Sequence, residues 1–449
     1  MYLFFGMLWA LTIFAMLGWY ISLYYKKQLI TVLSTSVFMQ ICIPLVLMYP
    51  FVFSDKNVSA TGLKNYYMYL QHVNYAFLIC LIGIVFFFLG SFLCSRLKRK
   101  SKIINIKNQY RFINFITELL VKNANKITFS IFFVALLILF IIMLKIGYFQ
   151  NIFNVRTFSM SQTGYRPLSN FFYSICSVMI TLLLVSLYIK KSKLLFLYLV
   201  ICLLFSLTSG TRGAVLHSLL IIIFVYFTVN QRKINKNKLI QFGTLGIILL
   251  LMAVYLGNLR NKQYNPVFVL NNLSESLFYG NNFSDLRDFS WVMAYWNGSL
   301  LYGKTMLAGM LSFIPSAISD FRSHWNIGVF TATTVGFDPR VHPGLRTGIF
   351  GESYFNFGIL GVSIFGFIYG YIITYIDTFV QNYINSNGRE KKDIIFAVAT
   401  GYIIAGLMIN IMITAGFFQI YVYIFVLFCY YFYNYLTKIF ISKFGVNHE

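Results

Sequence analysis

Four short segments of this 449-residue chain carry residue types suited to handling anions and protons. Ser209–Gly213 reads SGTRG, Asn258–Lys262 reads NLRNK, Val335–Arg346 reads VGFDPRVHPGLR and Gly351–Gly358 reads GESYFNFG. The first two place Arg212, and Arg260 with Lys262, at the edges of apolar runs, and the third adds Arg340 and Arg346. A guanidinium offers a planar fork that grips phosphate oxygens two at a time and keeps its charge near lipid. Gly210 and Gly213 permit a sharp turn and a close ligand approach around Arg212. A cation at the edge of a bilayer is costly and tends to mark function, the competing reading being a snorkelling side chain. Glu352 stands at the start of an apolar run. A carboxylate there either favours the positive end of a helix or accepts a proton from an attacking hydroxyl. His342 and Asp338 are rival proton acceptors in the preceding loop. Trp291, Trp296 and Trp325 offer faces that stack on sugar rings.

Other chemistry lacks its residues. No HExxH, GxSxG, P-loop or dinucleotide fingerprint occurs, so the sequence supports neither a metal nor a nucleotide cofactor. The six cysteines lie in or beside apolar runs without CxxC spacing and read as small core hydrophobes. A membrane enzyme built this way needs a donor that arrives already activated and lipid-borne.

The elements that position these residues follow from hydropathy. Hydrophobic residues make up 59% of the chain and charged residues 11%, a balance that no soluble core of this length can bury. Apolar runs long enough to cross a bilayer fall at roughly 3–24, 29–53, 73–94, 127–147, 168–189, 194–209, 214–229, 239–257, 353–376, 394–414 and 417–436. The expectation is therefore an all-α, polytopic membrane helix bundle of about eleven transmembrane helices, with residues 1–449 as a single membrane domain. The first run lacks a basic n-region and a small-residue cleavage site, and reads as a retained anchor.

The net charge of +24 is spread over short loops rather than gathered in a basic domain, so it argues for membrane orientation and against nucleic acid. Alternating the loops from Lys26 puts RLKRKSK at Arg96, KKSK at Lys190, QRKINKNK at Gln231 and REKK at Arg389 inside, with the N-terminus out and the C-terminus in. Residues 258–351 then form a large extracytoplasmic loop before the ninth helix. Within it, Met306–Ile318 is apolar but too short to span and is interrupted by Pro315, which fits a re-entrant or interfacial helix. Under this topology 5 of 23 inside cations are Arg, against 8 of 13 outside. Topology needs only charge, so the outer arginine bias suggests an anionic ligand, with a lipid-linked diphosphate as the fitting class. Gly358, Gly361, Gly366 and Gly370 give the ninth helix a small face suited to close packing.

The chain resembles the bacterial O-antigen polymerase (Wzy-type), or oligosaccharide repeat unit polymerase, family. The resemblance rests on SGTRG opening a helix, the basic NLRNK after the next one, LLYGKTMLAGMLSFIP (Leu300–Pro315) and GESYFNFGILGV (Gly351–Val362). It departs from the family at PSAISDF after Pro315, where a basic residue is usual. The resemblance implies a GT-C-like polymerase architecture in the bacterial cytoplasmic (inner) membrane, with its active side extracytoplasmic. It implies transfer of a growing glycan from undecaprenyl diphosphate to the non-reducing end of a new lipid-linked repeat unit. Arg212, Arg260 and Arg346, with Arg340 and Lys262, would hold the diphosphate. Glu352 or His342 would deprotonate the acceptor, and Trp291, Trp296 and Trp325 would contact sugars. The implied partners are the undecaprenyl-diphosphate-linked oligosaccharide, membrane lipids and a chain-length regulator protein, and no cofactor is implied. An O-antigen ligase-like transferase shares these features apart from its acceptor. A lipid-linked oligosaccharide flippase is the non-enzymatic alternative, although the charges gather at one side and no internal repeat is visible.

Overall fold

The computed structural model describes residues 2–61, 66–100, 111–131, 136–145, 147, 166–208, 212–231, 237–238, 240–241, 243–248, 251, 273–281, 283–316, 318–339, 342–386 and 389–444. Among these residues there are helices and no strand. The principal helices are α1 (Tyr2–Tyr25), α2 (Val32–Val37), α3 (Tyr66–Lys100), α4 (Arg166–Ile189), α5 (Lys193–Thr208) and α6 (Arg212–Val229). A polar stretch holds α7 (Asp285–Tyr295), α8 (Lys304–Met310), α9 (Asp320–Trp325) and α10 (Ile327–Thr334). It is followed by α11 (Gly348–Asn385), α12 (Lys391–Met412) and α13 (Phe418–Phe444).

Six helices among the described residues are long and apolar enough to cross a membrane, over Leu3–Tyr25, Tyr66–Leu97, Phe171–Ile189, Gly348–Asn385, Lys391–Met412 and Thr414–Ile439. Val32–Leu47, Lys193–Ser206 and Ser218–Val229 are shorter apolar helices. Of the remaining expected spans, 127–147 appears as Ala124–Ile131 and Leu137–Lys145, and most of 239–257 lies outside the described residues. The architecture is a polytopic membrane helix bundle. Apolar side chains such as Leu3, Phe4, Leu11 and Phe14 point outward on α1, as lipid solvation allows and water does not.

The chain divides into two compact units. The first comprises Met1–Asn105, Tyr226–Ser386 and Gly401–Phe418. Its spine is α3 against α11. Gly90 and Gly370 press their Cα atoms against the carbonyls of Phe367 and Phe87, and a Cβ on Gly366 would start 2.7 Å from the Gly83 carbonyl oxygen. Small residues let two backbones approach this closely, which is how helices gain packing energy where lipid is as apolar as leucine. Thr374 Oγ1 adds a hydrogen bond to Ser91 Oγ at 2.7 Å. Next to this spine, Phe38–Leu47 winds as a π-helix around Pro44. The wider turn accommodates a ring that has no N–H to offer and would crowd the carbonyl one α-turn back. Thr31 and Ser34 form a capping box at the start of α2, and Leu33 N–H donates to Asp377 Oδ1 at 3.3 Å.

The second unit comprises Ile106–Val225, Asn387–Thr400 and Gln419–Glu449. The short link between α4 and α5 makes them antiparallel neighbours, with Phe172 and Phe205 edge to face at 5.4 Å. Thr181 Oγ1 donates to Ser218 Oγ at 3.2 Å, joining α4 to α6.

Candidate functional site

A helix break creates the central feature of the polar stretch. Gly358 adopts φ +63° and ψ −153° inside α11. That combination is essentially open only to glycine. The break frees carbonyls that a continuous helix would satisfy itself. Those of Phe355 and Asn356 instead accept from the N–H groups of Leu301 and Tyr302, each at 3.0 Å. The segment ahead of α8 is thus bonded to the first turns of α11, and α8 carries Thr305 against Glu352.

Glu352 is fully buried. Thr305 Oγ1 donates to its Oε1 at 3.0 Å, Thr414 N–H donates to its Oε2 at 2.9 Å, and the Thr414 hydroxyl donates to Oε1. Asn356 Nδ2 donates to Thr305 Oγ1 at 2.6 Å and to the Glu352 carbonyl at 2.8 Å. Asn356 Oδ1 is buried without a partner among the described residues. A buried carboxylate needs such donors, since an unsatisfied one costs several kcal/mol (order of magnitude). Here they come from two separate stretches of chain, around Thr305 and Thr414. Thr414 reaches the group because α12 ends at Met412 and a 3₁₀ turn over Thr414–Gly416 exposes its N–H.

A second polar cluster surrounds the start of α7. Arg287 and Asp288 are both 3% exposed and form an ion pair, with Arg287 Nη2 2.8 Å and Nε 2.9 Å from Asp288 Oδ1. Arg287 also donates to the carbonyl of Tyr279 at 2.7 Å and to Asn281 Oδ1 at 2.9 Å. Asp288 Oδ2 accepts from Ser284 Oγ at 2.8 Å and from Arg346 N–H at 3.2 Å. The Arg287 guanidinium is therefore fully occupied within the protein. Arg346 is exposed, by contrast. Burial pushes the neighbouring Asp285 carboxyl up to about 6, with Asp288 adding to the rise and the guanidiniums of Arg346 and Arg287 opposing it.

The predicted tryptophans occupy different settings. Trp291 is 2% exposed and edge-on to Phe337 at 5.5 Å. Trp296 is partly exposed, 5.1 Å from the Phe355 ring and 5.7 Å from the Tyr354 ring. Trp325 is partly exposed beneath the Lys304 ammonium, 4.2 Å from the ring centre, a cation–π pair. His342 is partly buried, stacked on Phe337 at 4.5 Å, and its Nδ1 accepts from Gly344 N–H at 3.1 Å. Arg322 donates to the Ile314 carbonyl, and burial lowers its guanidinium from the ordinary value.

Among the sequence candidates, the fold brings Trp296 beside the first turns of α11 that carry Glu352, and ties Arg346 to Asp288 at the start of α7. Arg212 is the first residue of α6, in the second unit, and its side chain is not among those described. Arg260, Lys262 and Arg340 lie outside the described residues. Thr305, Asn356, Thr414, Asp285 and Asp288 were not singled out by sequence. Threonines at 305 and 414 flank apolar runs without any motif, and nothing in their spacing links them to residue 352.

Fold and site define a polytopic membrane protein with a polar, arginine- and carboxylate-bearing stretch bonded to its helices. Residues 1–285 match the family model for O-antigen polysaccharide polymerase Wzy, and the chain belongs to that family. It is a multi-pass bacterial membrane protein of the glycosyltransferase-type polymerases that act on lipid-linked oligosaccharide repeat units. No curated protein and no solved structure shows a match to it.

Proposed function

We propose that the protein polymerises undecaprenyl-diphosphate-linked repeat units on the outer face of the cytoplasmic membrane. The growing glycan leaves its lipid diphosphate and is joined to the non-reducing end of a new lipid-linked unit. Family membership over residues 1–285 carries this reading. The outer arginine bias supports it, since Arg212, Arg260 and Arg346, with Arg340 and Lys262, suit a departing diphosphate whose charge grows in the transition state. Trp296 and Trp325 are the partly exposed aromatic faces suited to sugars. Glu352 serves from its buried seat, holding α8 and the Thr414 turn in register with α11, and His342 shapes the loop that carries Arg346. A chain-length regulator is the proposed protein partner.

Arg212 tests the proposal. In a deletion strain complemented with Arg212→Ala, surface glycan should collapse to single capped repeats while protein abundance stays normal, and Arg212→Lys should restore little. Normal chain length from an abundant Arg212→Ala protein would refute the diphosphate assignment. A deletion strain that displays no glycan at all would point to a flippase, since single repeats reach the surface only when translocation is intact.

A further inference from the structure

Resting on the reading above, we infer that Asp285 is the general base of the transfer, accepting the proton of the acceptor sugar's hydroxyl beside the Arg346 guanidinium. Besides the exposed Asp338 of the loop before α11, three side chains near this stretch could accept that proton, and the surroundings of these three differ. Glu352 is sealed from solvent, and both its oxygens already accept from Thr305 and Thr414. The Nδ1 of His342 accepts from Gly344 N–H, which leaves the proton of a neutral imidazole on Nε2 and no outward lone pair.

Asp285 differs from both. As a residue it is partly exposed at the start of α7, its carboxyl lies buried, and no described residue donates a hydrogen bond to it. Asp288, one turn further along α7, is by contrast neutralised by Arg287, Ser284 and the Arg346 N–H. The cluster thus contains one satisfied carboxylate and one with its lone pairs free. The free one adjoins the exposed Arg346 and the start of α11, its Cβ lying 3.3 Å from where a side chain on Gly348 would begin. A base next to a cation that receives the leaving group is the arrangement a displacement at the anomeric carbon needs.

The step balances as follows. The acceptor hydroxyl oxygen bonds to the anomeric carbon of the donor, and that carbon's bond to the diphosphate oxygen breaks with its electron pair going to the diphosphate. The hydroxyl proton passes to Asp285 and from there to water. The groups facing Asp285 are Arg346 from the loop before α11, Arg287 and Asp288 on its own helix, and Cys80 on α3, while Leu45 supplies an apolar wall. With its carboxyl near 6, Asp285 is ionised at neutral pH yet far more basic than an ordinary aspartate, as a general base should be.

The test uses the full-length protein in liposomes, with lipid-linked repeat units extracted from a strain lacking this polymerase. Wild-type activity should fall about tenfold per pH unit below about pH 6. Asp285→Asn should lose on the order of a hundredfold or more in rate at pH 7.5 at undiminished abundance. Asp285→Glu should recover part of the rate and keep an acid limb, displaced along the pH axis. The assignment is overturned if Asp285→Asn stays within threefold of wild type, or if it is slow but keeps the wild-type acid limb. Should Asp285→Asn fail to accumulate, an Asp285→Glu enzyme with an unmoved acid limb overturns it equally. A wild-type protein that makes no polymer from this substrate overturns the proposed function itself, an outcome distinct from a working wild type with a working Asn variant.

Discussion

The Glu352 network makes a quantitative prediction through the pair Glu352→Ala and Thr414→Val. Glu352→Ala removes the acceptor for three donors at once. The Thr414 hydroxyl can turn to the Thr305 carbonyl, 3.5 Å away, but the Thr414 N–H and the Thr305 hydroxyl are stranded. At about 1–3 kcal/mol per stranded buried donor, the loss is about 2–6 kcal/mol. Thr414→Val keeps the N–H bond and deletes one hydroxyl-to-carboxylate bond, costing about 1.5–3 kcal/mol. In the double variant the hydroxyl has no carboxylate to lose, so the combined effect should fall short of the sum by at least about 1 kcal/mol. Unfolding in mixed micelles, followed by the fluorescence of nearby Trp291 and Trp296, measures all four proteins. Additivity within about 0.5 kcal/mol would refute the bond between Thr414 and Glu352 and the fold reasoning built on it.

Gly370→Leu should prevent stable accumulation in the membrane, because its side chain has to enter the space of the Phe87 carbonyl; immunoblotting of membrane fractions checks this. Arg287→Ala should cost about 3–5 kcal/mol by leaving Asp288 buried and unpaired, seen as lower abundance in membrane fractions and a lower thermal unfolding midpoint. Asp285→Asn should stabilise the protein at neutral pH. The folded carboxyl stands at about 6 against an ordinary 3.8, so charging it destabilises the fold as pH rises. The gain over wild type should be absent below about pH 4, grow between about 4 and 6, and reach up to about 3 kcal/mol above that. Thermal unfolding at pH 4, 5, 6 and 8 checks it, and a flat difference across these pH values would refute it.

Much of the bundle was legible because a membrane span writes itself in local composition. The run from Leu3 to Tyr24 became Tyr2–Tyr25, and the run from Leu168 to Ile189 became Arg166–Ile189. What composition conceals is how a run is wound. The stretch 29–53 looks uniform by hydropathy, yet Pro44 turns its middle into a π-helix. The glycines of the ninth span share one face on paper. In the structure Gly366 and Gly370 pack against α3 whereas Gly358 breaks the helix, a distinction that needs the backbone angles. The site was less legible. Glu352 could be found by its position at a helix start, but its partners stand 47 and 62 residues away. Arg287 illustrates the converse. The sequence groups it with the arginines expected on the outer side, and only three-dimensional packing reveals that Asp288 has already claimed it.

The broken helix has a bearing on which parts of the protein can move independently. Because amides from Leu301 and Tyr302 complete two carbonyls of α11, the segment ahead of α8 cannot swing aside as a gate without leaving both bare, at about 1–3 kcal/mol apiece once buried. Any movement of this stretch therefore carries the segment ahead of α8 and the first turns of α11 as one piece.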